Sequence, residues 1–356
     1  MRLDIDGRNC ELESGRSILD AVKKEGLDSI MLSDRPLAAQ IGGEVFNLRF
    51  TPKKDTQIHL LRYGEDMGRR VYERTLQFLF ILAMRKEFPR ARVCVRYSLG
   101  PGLFITVDGM EEPFNEEAAL KVETEMRRLV RLKLPLERRR ISIKEALSFY
   151  EQDGQADKAK LLKWRRFSYF DVYQIDGYMD YFYGEMAPDT SYADVFRVKY
   201  VHDGAVVLLM PRNDAPDVPS DYVDLPKLHA VFHQSDEWGK LMECATVNDL
   251  NTHIQNGTIR ELVRINEALH DRGYADIADK IVQKGAKAVL VAGPSSSGKT
   301  TSAHRISTQL RLQGCHPVML SLDDYYIDRD KIERDENGEI DLENINTLDI
   351  QRFGSD

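Results

Sequence analysis

The pattern of apolar and polar positions divides the chain into segments of different kinds. The first six residues, MRLDID, alternate apolar and polar side chains, as a strand with one buried face does. Further strand-like segments and one short helical segment follow as far as residue 62. From Asp66, apolar residues recur at three- and four-residue spacing, which predicts a long helix. The pattern therefore predicts a small α+β unit over residues 1–62 and a second unit behind it.

The middle of the chain mixes the helical and strand periodicities. A second helix is predicted over residues 115–132, and Ser142 is placed to cap a third one. Strand-like segments separate these helices, whereas residues 225–285 have a helical pattern throughout. We therefore expect an α+β domain over residues 63–215 and a helical connector over residues 216–285.

Two short, continuous apolar runs follow the connector. They are KAVLVA at residues 287–292 and PVMLSL at residues 317–322, with a helical pattern between them. Such runs are expected of strands that are buried on both faces of a sheet. Strand, helix and strand predict a right-handed parallel unit, so we expect residues 286–356 to begin an α/β domain.

Composition and charge exclude several classes of protein. The chain has 356 residues, of which 42% are hydrophobic and 30% charged, so it is neither disordered nor fibrous. The net charge of -8 provides no overall attraction to nucleic acid or to an anionic membrane. The 4 cysteines show no paired spacing, and the start lacks the apolar core of a signal peptide. We expect a cytoplasmic, multi-domain globular protein.

The strongest motif, GPSSSGKTT, directly follows the first apolar run. It fits the pattern G-x-x-x-x-G-K-[ST], in which backbone N–H groups surround phosphate oxygens. In that pattern Lys299 reaches the β- and γ-phosphates, and the Thr300 hydroxyl binds Mg²⁺. The motif predicts a site for ATP and Mg²⁺. The residues assigned to ATP binding are Gly293, Pro294, Ser295, Ser296, Ser297, Gly298, Lys299, Thr300 and Thr301.

Polar residues follow the second apolar run, beginning with Asp323 and Asp324 and continuing to Tyr326. Ligands of open parallel sheets bind at the carboxyl ends of the strands, so Asp323 is expected to face the glycine-rich loop. A carboxylate there can accept a proton from an attacking hydroxyl. The spacing alone fits equally well two aspartates that cap a turn.

The segment AGPSSSGKTTSAHRISTQL and the later SLDDYY resemble the uridine kinase and phosphoribulokinase family of P-loop kinases. The resemblance implies that Asp323 is the general base, that Lys299 is catalytic and that Tyr326 contacts the nucleoside. A later carboxylate of the family, near substrate and metal, corresponds to Glu343. The resemblance thus implies an ATP-dependent nucleoside kinase, uridine- or cytidine-like, which transfers the γ-phosphoryl group to a ribose 5′-hydroxyl. Its partners would be ATP and a nucleoside or sugar-phosphate acceptor.

The front half resembles a different family. PLAAQIGGEVFNL and DTQIHLL are similar to the TGS domain, a β-grasp module. GPGLFITVD, PFNEEAALKVETEM and LPLERRRISIKEAL resemble the second, editing-type domain of threonyl-tRNA synthetase. That family carries H-x-x-x-H where this chain has RRVYERTLQ, and its later Cys and His fall near Phe182 and Met186. The resemblance therefore implies a non-catalytic synthetase-like module without the editing ligands.

The expected architecture is a β-grasp domain, an α+β synthetase-like domain, a helical segment and a truncated α/β P-loop kinase domain. Because residues 286–356 are too few for a whole kinase domain, we expect this chain to be an incomplete and inactive part of a longer protein. The alternative is an ATP-sensing, nucleotide- or RNA-binding regulatory protein without phosphoryl transfer.

RNA is the weaker of the partners considered. The basic stretch 127–140 is more typical of a solvated helix face than of an RNA contact, and the aromatic cluster 169–183 is more typical of a core. No membrane partner is expected, and the sequence leaves the oligomeric state open.

Overall fold

A computed structural model of the protein describes residues 1–202, 204–332, 334, 340–341 and 344–356. The described residues form two compact units, Met1–Asn251 and Thr252–Asp356. Several small sheets with helices make up the first unit, so the chain is multi-domain and α+β. No helix of this described part is long and apolar enough to cross a membrane. The division at residues 62, 215 and 285 stays a prediction.

The chain begins with a five-stranded sheet that carries one helix. Its elements are β1 (Arg2–Ile5), β2 (Arg8–Glu11), α1 (Ile18–Lys24), β3 (Ala38–Ile41), β4 (Glu44–Phe46) and β5 (Thr56–Leu61). The strand order is β2-β1-β5-β3-β4, in which β1 and β5 are parallel. A capping box starts α1: the Ser17 hydroxyl accepts from the Asp20 N–H, and the Asp20 carboxylate accepts from the Ser17 N–H. The mixture of strands and one helix predicted for this segment is confirmed.

The chain that follows β5 as far as residue 255 contains two further sheets, a hairpin and six α-helices among the described residues, and the last of these helices crosses the boundary between the two units. In chain order its elements are α2 (Asp66–Glu87), β6 (Arg92–Leu99), β7 (Gly102–Asp108), α3 (Glu116–Leu132), β8 (Glu137–Ser142), α4 (Ile143–Gln152), α5 (Ala156–Leu162), β9 (Tyr169–Ile175), β10 (Tyr178–Asp180), β11 (Arg197–His202), β12 (Ala205–Leu209), β13 (Pro211–Arg212), β14 (Ala215–Pro219), α6 (Pro226–Leu241) and α7 (Val247–Gln255).

A four-stranded antiparallel sheet, in the order β11-β12-β7-β6, shares the largest hydrophobic core with α2 and α3. The sequence correctly predicted both helices. The N-terminus of α3 is capped by Asn115, whose side chain accepts a hydrogen bond of 2.9 Å from the Ala118 N–H. Its first turn carries Glu116 and Glu117, which the helix dipole favours at that end.

A three-stranded antiparallel sheet has β9 between β8 and β10. Its inner side and helices α4 and α5 enclose a separate small core around Tyr150 and Phe170. The predicted cap is confirmed, since the Ser142 hydroxyl accepts from the Glu145 N–H at 3.1 Å. The aromatic cluster of this region is largely core, although the Tyr183 side chain is exposed.

Polar contacts fix the first sheet to the remainder of the first unit. The Arg35 guanidinium donates to the Asp194 carboxylate at 2.8 Å, and the side chain of Asn47 donates to the Met186 carbonyl at 2.8 Å. The Tyr63 hydroxyl, which is buried, donates to a main-chain carbonyl of β13 at 2.7 Å. The Asn47 bond holds the loop behind β4 close to the segment that contains Met186.

The second unit is helical in its described part. Its helices are α8 (Ile259–Gln283), α9 (Lys299–Leu312) and α10 (Ile350–Ser355), with short 3₁₀ turns between α9 and α10. α8 and α9 are joined by an ion pair of 2.9 Å between Asp271 and Arg305. The hydroxyl groups of Tyr274 and Ser302 form a second link at 3.2 Å.

The predicted strands of the second unit are not formed. Residues 287–292 and 317–321 have no strand geometry, and Leu290 and Val318 are 95% and 85% exposed. A parallel sheet is stable only when layers cover both of its faces, and the part of this unit that the structure describes provides no such layers. Of the predicted strand–helix–strand unit, the described residues form the helix α9 but neither strand.

Candidate functional site

A cleft of about 640 Å³ opens in the first unit beside the N-terminal half of α2. We call it the arginine cleft. It is lined by Glu44, Val45, Phe46, Phe50, Met67, Arg70, Arg74, Arg138, Gly184 and Glu185. These residues come from four separate parts of the chain: β4 and the loop behind it, α2, β8, and the segment that follows β10. The cleft therefore depends on the contacts between the first sheet and the rest of the unit.

Arg70 and Arg74 lie one helical turn apart on α2, so both side chains reach the same side of the helix. Arg70 is exposed, whereas Arg74 is half-buried and its Nε donates to the Glu185 carbonyl at 2.9 Å. Burial lowers the pKa of the Arg74 guanidinium, while the nearby Tyr173 and Glu73 act in the opposite direction. The group stays charged, because a guanidinium does not lose its proton in proteins.

Because Gly184 has no side chain, the Arg74 guanidinium can pack against the main chain at this position. The backbone at Gly184 has a φ of +103°, in the region that favours glycine. A β-carbon at this position would lie 2.9 Å from the Arg74 Cζ atom and 3.1 Å from Nη2. The guanidinium therefore packs directly against the main chain of residue 184.

The third arginine of the cleft has carboxylate partners. Arg138 forms ion pairs with Glu185 and, at 3.1 Å, with Asp171. The Tyr173 hydroxyl donates to the Glu185 carboxylate at 2.9 Å. Burial, and then the charge of Glu185, raise the pKa of Tyr173 well above its ordinary value, so the hydroxyl remains a donor. This network holds Glu185 in place and offsets the charge of Arg138.

Arg70 and Arg74 are different, because neither forms an ion pair in the described part of the chain, although Glu44 and Glu185 line the same cleft and the charges of Glu73 and Glu185 act on Arg74. The rings of Phe46 and Phe50 also line the cleft, with centroids 4.5 Å apart. The arrangement can bind an anion beside a flat, apolar group.

The sequence shows that RRVYERTLQ lacks histidine, but it did not lead us to predict that two arginines of this stretch line a cleft. Arg70 and Arg74 have the four-residue spacing of the H-x-x-x-H motif to which this stretch was compared. Guanidinium groups have no lone pair to offer a metal. Of the two later positions, Met186 is fully buried and Phe182 packs against Phe78 with ring centroids 5.3 Å apart. The signal that could have revealed the site is a pair of arginines one turn apart on a mostly apolar helix.

The second candidate site is the glycine-rich loop at residues 293–301, in the second unit. The Lys299 ammonium donates to the carbonyls of Gly293 at 2.8 Å and Pro294 at 2.9 Å. Gly298 has a φ of +83° and immediately precedes α9, whose first turn carries Thr300. The structure thus brings the lysine, the loop carbonyls and the start of the helix together.

The remaining residues of the predicted ATP site follow the same loop. The Ser297 N–H donates to the Pro294 carbonyl at 3.3 Å, which closes the turn. Ser295 and Ser296 lie at the exposed tip, and Thr301 lies in the first turn of α9. The nine residues are therefore adjacent in space as well as in sequence.

The residues predicted to act beside this loop belong to the segment of the chain between α9 and α10. Asp323 is exposed in the 3₁₀ turn Leu322–Tyr325, and no hydrogen bond or ion pair joins its side chain to the loop among the described residues. Tyr326 forms an isolated β-bridge with Leu348. Glu343 lies outside the described residues. The assignment of these three residues to a site stays a prediction.

Comparison with known proteins shows similarity to threonine–tRNA ligases. The ligase of Clostridium kluyveri is 25% identical over 194 residues, which is 54% of this chain and 30% of the ligase. That of Carboxydothermus hydrogenoformans is 27% identical over 175 residues, or 47% of this chain and 26% of the ligase. That of Acetivibrio thermocellus is 28% identical over 160 residues, with 44% and 24% covered. No protein-family model matches the chain.

The chain thus spans less than a third of the length of these relatives. A match of 194 residues is longer than the second unit, so it includes residues of the first unit. The similarity supports the TGS and threonyl-tRNA synthetase-like module that the sequence predicted.

The prediction of an ATP-dependent nucleoside kinase is wrong. The similar proteins reported above are named threonine–tRNA ligases, not uridine kinases. The predicted nucleoside or sugar-phosphate acceptor is wrong for the same reason. The structure agrees in one respect, because the parallel strands expected beside the glycine-rich loop are not formed.

Proposed function

We propose that the first unit binds tRNA, and that the arginine cleft receives a nucleotide at one end of the RNA. The observation that carries this proposal is the cleft itself, where the unpaired charges of Arg70 and Arg74 lie beside the rings of Phe46 and Phe50. Guanidinium groups bind phosphate oxygens through paired hydrogen bonds, and aromatic rings stack on unpaired bases. The similarity to threonine–tRNA ligases favours tRNA as the RNA.

The proposal includes the finer identity of the two domains. We infer that the sheet of residues 1–62 is a β-grasp domain of the TGS type and that the following α+β part is a synthetase-like second domain. Support comes from the parallel pairing of β1 with β5 and from α1 packed on that sheet. The cytoplasmic location is inferred with the tRNA partner.

The charge distribution limits where the RNA binds. Because the net charge is -8, attraction to a polyanion has to come from local basic surface. One such surface is β8, where Arg138, Arg139 and Arg140 follow one another beside the cleft. Arg140 lies 4.0 Å from the ring centroid of Tyr169 but is paired with the Asp171 carboxylate at 2.8 Å, whereas the Arg139 guanidinium bonds to a neutral amide, that of Gln174. Binding through a few such groups is expected to weaken steeply with added salt.

The test is a tRNA binding titration at fixed ionic strength. The double variant Arg70→Gln and Arg74→Gln should weaken binding by about tenfold or more, equivalent to about 1.4 kcal/mol. Arg131→Gln is the matched control, since Arg131 is an exposed arginine on α3 outside the cleft. Equal affinity of the double variant and the unchanged protein, or no tRNA binding by the unchanged protein, would contradict the proposal.

For the second unit, we infer that the glycine-rich loop binds the phosphates of ATP with Mg²⁺. The loop fits this ligand: Gly298 adopts the left-handed conformation that opens the turn, and no described side chain caps the start of α9 at Lys299. Lys299 would contact the outer phosphates and the Thr300 hydroxyl would bind Mg²⁺, which neutralises phosphate charge when present. Calorimetry with MgATP should show binding that Lys299→Met weakens at least about tenfold and that Lys284→Met leaves unchanged.

A further inference from the structure

We infer that the arginine cleft selects a nucleotide that ends in a phosphate monoester, either free as a nucleoside monophosphate or at the end of an RNA. The inference rests on the proposed function, because it concerns the same cleft. It goes further by naming which chemical end of the nucleic acid the cleft recognises. An internal phosphodiester or a plain hydroxyl end would be the poorer ligand.

The charges in the cleft support a doubly charged ligand. Arg138 is offset by Glu185 and Asp171. Glu44 also lines the cleft, but among the residues described neither Arg70 nor Arg74 forms an ion pair or a side-chain hydrogen bond with a carboxylate. A phosphate monoester carries about -1.5 to -2 charges at pH 7, whereas an internal diester carries one. Two unpaired guanidinium groups, one helical turn apart, therefore match the monoester.

The position of Arg74 adds geometric selectivity. Its Nε is occupied by the Glu185 carbonyl, and its Cζ atom packs against Gly184. Its two terminal nitrogens form no hydrogen bond with any described residue, so they remain available as a pair of donors. Two parallel N–H groups suit two oxygens of one phosphate. Partial burial strengthens this attraction, because water screens the charge less.

The volume of the cleft and its two aromatic rings indicate what the remainder of the ligand is. About 640 Å³ lies within the range of about 300–1,000 Å³ typical of small-molecule pockets. The Phe46 and Phe50 rings supply the flat surface that a base needs. A single nucleotide unit, with its base at these rings and its phosphate at the two arginines, satisfies both features.

Fluorescence or calorimetric titration with matched ligand pairs tests the inference. The pairs are AMP with adenosine, and a short single-stranded RNA with and without a phosphate at its 5′ or 3′ end. The phosphorylated member of at least one pair should bind about tenfold more tightly or better. The preference should disappear in the Arg70→Gln and Arg74→Gln double variant and persist in Arg131→Gln. It should also weaken below about pH 6, where the monoester takes up its proton.

The outcomes separate the two proposals. Equal binding within every pair overturns the inference, and the tRNA titration then still decides the proposed function by itself. A preference for AMP without any tRNA binding upholds the inference for a free nucleotide and rejects the proposed function. Arg70→Gln alone guards against misfolding, because Arg70 is exposed; an unchanged preference in this folded variant would also count against the inference.

Discussion

Gly184 and Arg74 depend on each other: a β-carbon on Gly184 would lie 2.9 Å from the Cζ atom of Arg74. Real β-carbons do not approach other atoms so closely, so any other residue at 184 would push the guanidinium out of its place. The pair links a loop glycine to a helix more than a hundred positions earlier in the sequence. Together with the hydrogen bond from the Arg74 Nε to the Glu185 carbonyl, this contact positions the Arg74 guanidinium in the arginine cleft.

Gly184→Ala should therefore weaken ligand binding in addition to straining the backbone. Gly177→Ala is a matched control, since Gly177 has a φ of +80° with open space around its added carbon. Both variants should lose about 1 kcal/mol or more of unfolding free energy from the left-handed backbone. Only Gly184→Ala should weaken tRNA or AMP binding. A similar loss of binding in both variants would mean that the Arg74 contact is unimportant.

The sequence predicted those features that local interactions determine. Asn115 and Ser142 were recognisable as helix caps because a cap needs only a side chain and the N–H groups three residues on. The apolar run 287–292 was wrongly predicted to be a strand, because a continuous apolar stretch indicates a buried strand only where other layers cover it.

The arginine cleft could not be predicted from local sequence patterns, for a related reason. Phe46, Arg74 and Gly184 are far apart in the sequence and meet only through the contacts between the first sheet and the rest of the unit. The sequence showed which ligands the synthetase-like segment lacks. It did not show that Arg70 and Arg74, which lie in the stretch that lacks those ligands, line a cleft together with aromatic rings.

A half-buried ion pair between α5 and β10, in which the Lys158 side chain is 32% exposed, allows a test of stability. The Lys158 ammonium contacts both oxygens of the Asp180 carboxylate, at 2.6 and 2.7 Å, and the Asp180 side chain is only 3% exposed. Lys158→Met would leave that carboxylate buried without its cation, at a cost of about 3 kcal/mol. Urea unfolding followed by tryptophan fluorescence measures the loss. Both tryptophans, Trp164 and Trp238, belong to the first unit and so report on it alone.

Two further variants make this test specific. Lys160→Met changes an exposed lysine of the same helix and should have little effect. The double variant Lys158→Met with Asp180→Leu should be more stable than Lys158→Met alone, because it removes the unpaired charge. If Lys158→Met unfolds at the same urea concentration as the unchanged protein, the pair contributes nothing to stability.

His59 should make the stability of the first unit depend on pH. Its Nε2 lies 2.6 Å from the Glu65 carboxylate and its Nδ1 lies 2.9 Å from that of Asp6. Hydrogen bonds to Glu65 first, and then to Asp6, raise the pKa of His59. A raised folded-state pKa means that the stabilisation is full below the unfolded value of about 6.5 and is lost as pH rises through the higher folded value.

Unfolding of the first unit between about pH 5.5 and 8.5 checks this sign. The unchanged protein should lose stability toward the alkaline side of that window. His59→Gln should remove most of the dependence, and Glu65→Gln should reduce it, because each variant removes one side of the strongest hydrogen bond. A slope of opposite sign, or an unaltered slope in His59→Gln, would show that other groups control the pH dependence.

Thr300 and Thr301 provide a matched pair for the Mg²⁺ assignment in the glycine-rich loop. Both are exposed threonines in the first turn of α9, and only Thr300 occupies the motif position whose hydroxyl binds Mg²⁺. Replacing threonine with valine keeps the shape and removes the hydroxyl. Thr300→Val should therefore lose the gain in ATP affinity that Mg²⁺ provides, while its affinity for ATP in the presence of a chelator stays unchanged. Thr301→Val should behave as the unchanged protein in both titrations. If Mg²⁺ improves ATP binding equally in the two variants, the ion is held by other groups and Thr300 has no part in the site.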